Sequence, residues 1–347
     1  MRNALGLMLA SVVAAVVIAG VWFWTSAPRA GAAPPQTVAA RPAEPLAPSA
    51  ARQAARDDVQ TTAGLTRQAE AAAPAPAPAP APAPVKSTCA NPDALGVSRV
   101  VVIDTTGGPG FGFLQYKQFD FLADKEVVLT FDDGPWPTTP AVLKALADEC
   151  TKALFFPIGL HTTYHPEILR QVAAAGHTIG AHTWSHAHLA NKKMSEQQAK
   201  DEIEKGFSAV KLALGAAPSP FFRFPALAHT QATLAYLGSR NIAMFSCDVD
   251  SNDFKSSGPD QVIQNVMTKL DKQGKGVILM HDLQKHTALA LPTLLRRLKA
   301  GGYKVVQMKA KTTLSTLPEY DEALAKDMKL PTVSSRPVSS VVQTVSQ

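Results

Sequence analysis

Two short stretches place histidines four residues apart, HTTYH at 161–165 and HTWSH at 182–186. That spacing lets two imidazoles share one metal ion. His165 stands directly before Pro166, and a residue before proline is pushed out of the α region. The first pair therefore reads as a loop leading into a helix. No proline or glycine lies between His182 and His186, so one helical turn would present both rings on one side. The stretch lacks the glutamate of H-E-x-x-H, so a general base and a third ligand must come from elsewhere.

TFDDGP at 130–135 offers both. Adjacent carboxylates at a strand end, followed by a turn-forming Gly-Pro, can diverge, one toward an ion and the other toward a water. An arbitrary Asp-Asp is a cap or a turn; here the strand position and the histidines favour chemistry. Two histidines and one aspartate leave a coordination position open, the mark of a catalytic rather than a structural zinc site.

These groups need a scaffold, and the chain beyond residue 85 alternates short β-branched or aromatic runs with helical stretches. The runs are VVLTF (127–131), LFFPI (154–158), TIGAH (178–182), FFRF (221–224), AMFSCDV (243–249), GVILM (276–280) and YKVVQM (303–308). Between them lie helical stretches at 140–149, 166–175, 195–214, 259–270 and 289–300. Pro140, Pro166 and Pro259 suit first-turn positions, and Ser195 with Gln198 has the capping-box pattern. Strands alternating with helices predict parallel βα units. Seven of them fit an open sheet or a barrel, and the count leans to the barrel. Either way, reactive groups should gather beyond the carboxyl ends of the strands. They do: Asp132 and Asp133 follow the first run, His182 ends the third and Arg223 lies in the fourth. Asp250 and Asp253 follow the fifth, and His281 the sixth.

TFDDGP, HTWSH, the arginine of RFPA (223–226), DSNDF (250–254) and LMHD (279–282) resemble, in order, the five motifs of polysaccharide deacetylases of carbohydrate esterase family 4. That family includes the nodulation-type chitooligosaccharide deacetylases. The resemblance spans about 125–308 and implies a distorted (β/α) barrel of seven or eight strands, in agreement with the seven runs. It further implies that Asp133, His182 and His186 hold a divalent metal, zinc being the expected ion. Asp132 would be the general base, paired with Arg223. His281 would be the general acid, oriented by Asp253, and the Ala226 backbone N–H would hold the oxyanion. The implied reaction removes N-acetyl groups from an N-acetylglucosamine-containing glycan and releases acetate. Two departures bear on substrate preference. Ala226 and Leu227 stand where the family has an aromatic residue and then glycine, and Phe254 stands where tryptophan is common. Trp184 either stacks on a sugar or packs under the metal loop.

Competing functions leave more unexplained. A 2-His-1-carboxylate set also serves non-haem iron oxygenases, which would leave Asp132, Arg223 and His281 idle. An inactive glycan-binding module of the same fold would not need all these groups. The glycines in VVVIDTTGGPGFG (100–112) fit neither nucleotide-loop pattern; they suggest a loop after an extra strand. No G-x-S-x-G elbow supports a serine hydrolase.

The ends differ in composition. Residues 5–24 form an uncharged apolar run about as long as the ~20 residues of a bilayer span, with Trp22 and Trp24 at its far end. It predicts a signal anchor, or a signal peptide cleaved after the small residues at 30–32, a membrane partner, and a periplasmic or extracellular position for the rest. Residues 25–85 are rich in alanine and proline and predict a disordered linker. The expected domain is 86–317, with a loose tail at 318–347. Of three cysteines, Cys89 and Cys150 are the first candidates for a disulfide, and Cys247 reads as a buried thiol. A net charge of +6 with scattered lysines and arginines argues against nucleic-acid binding. A monomer is expected.

Overall fold

The structure, a computed structural model, describes residues 89 and 91–327. It begins with β1 (Arg99–Ile103), β2 (Gly110–Phe111), β3 (Glu126–Asp132), α1 (Thr139–Asp148) and β4 (Leu154–Phe156). Next come α2 (Gly159–Tyr164), α3 (Pro166–Ala174), β5 (Thr178–Ile179), α4 (Glu196–Leu214), β6 (Phe221–Arg223) and α5 (Gln231–Ser239). The rest comprises β7 (Ala243–Phe245), β8 (Val249–Asp250), α6 (Pro259–Gln273), β9 (Gly276–His281), α7 (Lys285–Ala300), β10 (Lys304–Ala310) and α8 (Pro318–Asp327). All seven apolar runs contain strands. Pro140, Pro166 and Pro259 sit in first helical turns, and Ser195 and Gln198 close the capping box of α4.

Every strand pairing among the described residues is parallel. The expected distorted barrel of about seven parallel strands is divided between two sheets. A seven-stranded sheet runs β8-β9-β3-β4-β5, with β10 on the first residues of β3 and β1 beyond it; β2, β7 and β6 form a second sheet of three. The bridge between Ala181 and Phe222 joins them. The run AMFSCDV breaks because its backbone changes partners: Ser246 donates to Phe111 of β2, whereas Asp248 donates to Val277 of β9. Gly112 (φ 99°) makes room for this break, since a Cβ there would stand 2.7 Å from the Cys247 nitrogen. The result is consistent with a distorted barrel split along one side.

Strand alternation then decides what faces the interior. Val127, Leu129 and Phe131 of β3 join the cluster under the helices, while Val128 joins the inner one with Leu154, Phe156, Phe221 and Val277. Period two therefore sends Thr130 and Asp132 inward, with Arg223 two residues after Phe221 and His281 four after Val277. Ile179 and Ala181 belong to the outer cluster, which puts His182 on the inner face. Each inward row ends in a polar group at the carboxyl rim.

The expected membrane segment finds no support among the described residues. No helix among the described residues is long and apolar enough to cross a membrane, and the run at 5–24 and the Ala/Pro linker lie outside those residues. The expected membrane partner and the periplasmic or extracellular position rested on that segment, and no membrane-spanning helix among the described residues supports them. The tail is also corrected in part. Residues 318–327 form α8, held to α4 by Lys211–Asp321 and Tyr320–Asp201 contacts of 2.8 and 2.6 Å; residues 328–347 lie outside the described ones. Cys89 and Cys150 form a disulfide, and Cys247 is buried and free.

Candidate active site

The end of β3 separates its two carboxylates. Asp132 completes the strand with its side chain inward. Asp133 takes a left-handed conformation (φ 74°), which turns its carboxylate away from its neighbour's. The turn is braced from behind by Asp282, a buried residue that the sequence reading gave no role. Its carboxylate accepts from Gly134 N at 2.9 Å and from Thr139 Oγ1 at 2.6 Å, and any side chain on Gly134 would collide with it. Burial pushes the Asp282 carboxyl up to about 7.

His182 and His186 do not share a helical turn, contrary to expectation. HTWSH is an irregular loop in which Thr183 (φ 65°) and His186 (φ 62°) are left-handed. Glu202 of α4 holds it, accepting from Ser185 N and Oγ, each at 2.8 Å. The rings still converge. His182 Nε2 lies 3.5 Å and His186 Nε2 3.3 Å from Asp133 Oδ1, and donor atoms of the three residues lie within 4.8 Å of one another.

Three features fit this triad to a cation. Asp133 Oδ1 is buried with no hydrogen-bond partner, a costly condition for a carboxylate oxygen unless something positive meets it. His182 Nδ1 lies 2.7 Å from the Arg223 carbonyl, so Nδ1–H donates there and Nε2 keeps its lone pair for the ion. Burial, the largest influence, lowers the His182 pKa to about 3, which keeps the imidazole neutral as a ligand must be.

Asp132 is paired with Arg223, whose side chain is 0% exposed. Arg223 Nη1 donates to Asp132 Oδ1 at 2.7 Å and to Thr130 Oγ1 at 2.8 Å, and Nη2 donates to the Ser246 carbonyl at 2.8 Å. The guanidinium also lies over the Phe156 ring, 4.5 Å from its centroid. Burial raises the Asp132 pKa, and the charges of Arg223 and His281 oppose the rise. A base that must accept a proton near neutral pH gains from that direction of shift.

Strand β9 is in register with β3, so His281 lies directly opposite Asp132. Asp253, in a 3₁₀ turn at Asp253–Lys255, holds it twice: His281 Nδ1 and N each lie 2.7 Å from its carboxylate oxygens. Thr287 of α7 donates to the same carboxylate. Burial works to lower the His281 pKa, but the Asp253 hydrogen bond and charge, with Asp132 and Asp133, raise it to about 9. Asp253 itself is raised by burial and lowered more strongly by its bonds to His281 and Thr287. The upward shift at His281 favours the protonated imidazole that a general acid needs. If His281 acts as the acid, activity falls as the pH rises through about 9. Asp253→Asn removes the main influence holding it there, so a pH–rate profile should show the alkaline limb moving down toward the ordinary imidazole value of ~6.5. An unmoved limb would detach Asp253 from that proton.

The remaining predicted residues differ in conformation and in what they touch. Ala226 and Leu227 are both left-handed (φ 53° and 56°), so Leu227 carries strain at the position where glycine would have none. Phe254 is 50% exposed and edge-on to His281, 5.5 Å between centroids. Trp184 packs under the loop: Lys205 Nζ stands 4.3 Å over its ring, and the ring would crowd a Cβ on Gly159. Asp250 instead caps its own turn by accepting from Asn252 N. The sequence reading also missed His161, in α2 rather than a loop, whose Nδ1 lies 2.6 Å from the Asp133 carbonyl. His165 is out of the α region, as Pro166 predicts.

A split parallel barrel with a carboxylate and two imidazoles poised for a divalent ion, flanked by a buried Asp–Arg pair and an Asp–His pair, defines a metal-assisted hydrolase type of site. Comparison with known proteins narrows this. The family model described as polysaccharide deacetylase matches residues 122–245. A chitooligosaccharide deacetylase of Bradyrhizobium sp. is 32% identical over 164 residues, 47% of this chain and 73% of that relative. The peptidoglycan-N-acetylglucosamine deacetylase PgdA of Listeria monocytogenes is 33% identical over 184 residues, 53% of this chain. The chain spans 38% of that relative's length. The solved structure of Bdellovibrio bacteriovorus peptidoglycan deacetylase Bd3279 superposes with a TM-score of 0.56 at 33% identity, covering 62% of this chain and 59% of that one. The chain belongs to the polysaccharide deacetylase family.

Proposed function

We propose that this chain is a metal-dependent hydrolase that removes N-acetyl groups from an N-acetylglucosamine-containing glycan and releases acetate. The observation that carries the reading is the buried, unpartnered Asp133 Oδ1 facing two imidazole nitrogens, with Asp132 and His281 opposite each other beside it. Asp133, His182 and His186 would hold the ion, and zinc is the candidate that three protein ligands with an open position suit. When bound, it acidifies water from a pKa of 15.7 toward ~7 and polarises a carbonyl oxygen.

The chain's own groups do the rest. Asp132, steadied by Arg223, takes the proton from the attacking water as its oxygen bonds to the acetyl carbon. The Ala226 N–H would donate to the developing oxyanion. As the C–N bond breaks, His281 gives its Nε2 proton to the nitrogen, which otherwise leaves too poorly as an amide anion. Acetate and a free amine result, and Asp253 keeps His281 aligned for the transfer.

The relatives' names supply the candidate substrates, chitooligosaccharide and peptidoglycan. The test is acetate release from both by the full chain, before and after chelation and with zinc restored. Release that chelation stops and zinc restores is expected; release indifferent to the chelator would refute the metal-dependent reading.

A further inference from the structure

Beside the metal loop lies a group of aromatic rings that the proposed chemistry does not use. Trp136 follows TFDDGP directly and is 36% exposed; Tyr164, the last residue of α2, is 58% exposed. Single exposed aromatics are ordinary, but rings gathered at a functional rim mark a contact surface. Here two histidines gather them. The His161 ring lies 4.9 Å from that of Trp136 and 6.4 Å from that of Tyr164, and His165 meets Trp136 edge-on at 5.3 Å.

This ledge is fixed to the site. His161 is bonded through Nδ1 to the Asp133 carbonyl. Trp136 N donates to Thr139 Oγ1 at 2.9 Å, and that hydroxyl donates to Asp282, which braces the same turn. Three residues of chain place the Cα atoms of Trp136 and Asp133 within about 11 Å of each other. The ledge stands on the β4 side of β3, while Phe254 touches His281 on the β9 side. A chain of sugars crossing the end of β3 would meet an aromatic surface on each flank.

We propose that Trp136 and Tyr164, seated on His161 and His165, form a stacking platform for a sugar unit flanking the one that is deacetylated. The proposal rests on the deacetylase reading. The C–H hydrogens on one face of a β-linked pyranose carry partial positive charge and meet the negative face of an aromatic ring. A ring held in place before binding loses little entropy when it is covered.

The test compares chitobiose with chitopentaose. In Trp136→Ala, the ratio of kcat/KM for the pentamer to that for the dimer falls about tenfold, mainly through KM. Tyr164→Ala, at an exposed position that the core does not need, shifts the ratio in the same direction, and Trp136→Phe restores most of it. An unchanged ratio in both alanine variants overturns the platform. Calorimetric titration of chitopentaose into metal-stripped protein separates this from the activity reading. If the wild type releases no acetate but its binding weakens in Trp136→Ala, the deacetylase reading fails and the platform stands. If the wild type does not bind the pentamer, or binding is indifferent to Trp136, the platform fails.

Discussion

Asp132→Asn should lower kcat for acetate release by about 10²–10⁴-fold, the usual contribution of a positioned general base, with the metal still bound. The substitution keeps size and shape, and the amide oxygen can still accept from Arg223 Nη1, which now donates to Asp132 Oδ1 at 2.7 Å. What it removes is the ability to take a proton. Metal retention is expected because the triad comprises Asp133, His182 and His186, so metal content measured beside the rate separates a lost base from a lost ion. Comparable rates from the two proteins would exclude Asp132 as the base.

Arg223→Leu should carry the largest cost in stability, about 3–5 kcal/mol, because it leaves a buried carboxylate without its partner. Arg223 is fully buried, and three hydrogen bonds tie it to β3, Asp132 and the break after β7. The cost should also depend on pH. Asp132 already has a raised pKa, with Arg223 opposing the rise, so the variant raises it further. A carboxyl raised in the folded state is penalised at pH values above its unfolded pKa, where unfolding releases its proton. The loss should therefore be greater at about pH 8 than at about pH 5. Urea unfolding at both values checks this, and a loss below about 1 kcal/mol, ordinary for a surface change, would mean that the pair does not stabilise the barrel.

Most of the scaffold was legible because its physics is local. A strand buried on both faces, such as β3, must be a near-continuous apolar run; polar residues that end such a run are conspicuous. Asp132, Arg223, His182 and His281 could be found in this way before any coordinates. The split of the barrel was not legible, because it depends on which distant strand each residue of AMFSCDV pairs with. The helical turn expected at HTWSH failed for a related reason. Left-handed Thr183 and His186 carry no glycine signal, and the loop is held by Glu202, contributed by α4. Asp282 was within the quoted LMHD stretch, yet only the fold shows that it lies behind Gly134. Helix α8 lies at the start of the stretch expected as a loose tail; its contacts with Lys211 and Asp201 are what tertiary structure adds.

The arrangement of Asp133, His182 and His186 is most directly tested by calorimetric titration of Zn²⁺ into the metal-stripped chain, beside Asp133→Ala and His186→Ala. One ion per chain is expected in the wild type, with affinity lost or sharply reduced in each variant. Zinc bound equally well by all three proteins, or by none, would contradict a metal centre at the rim of this barrel.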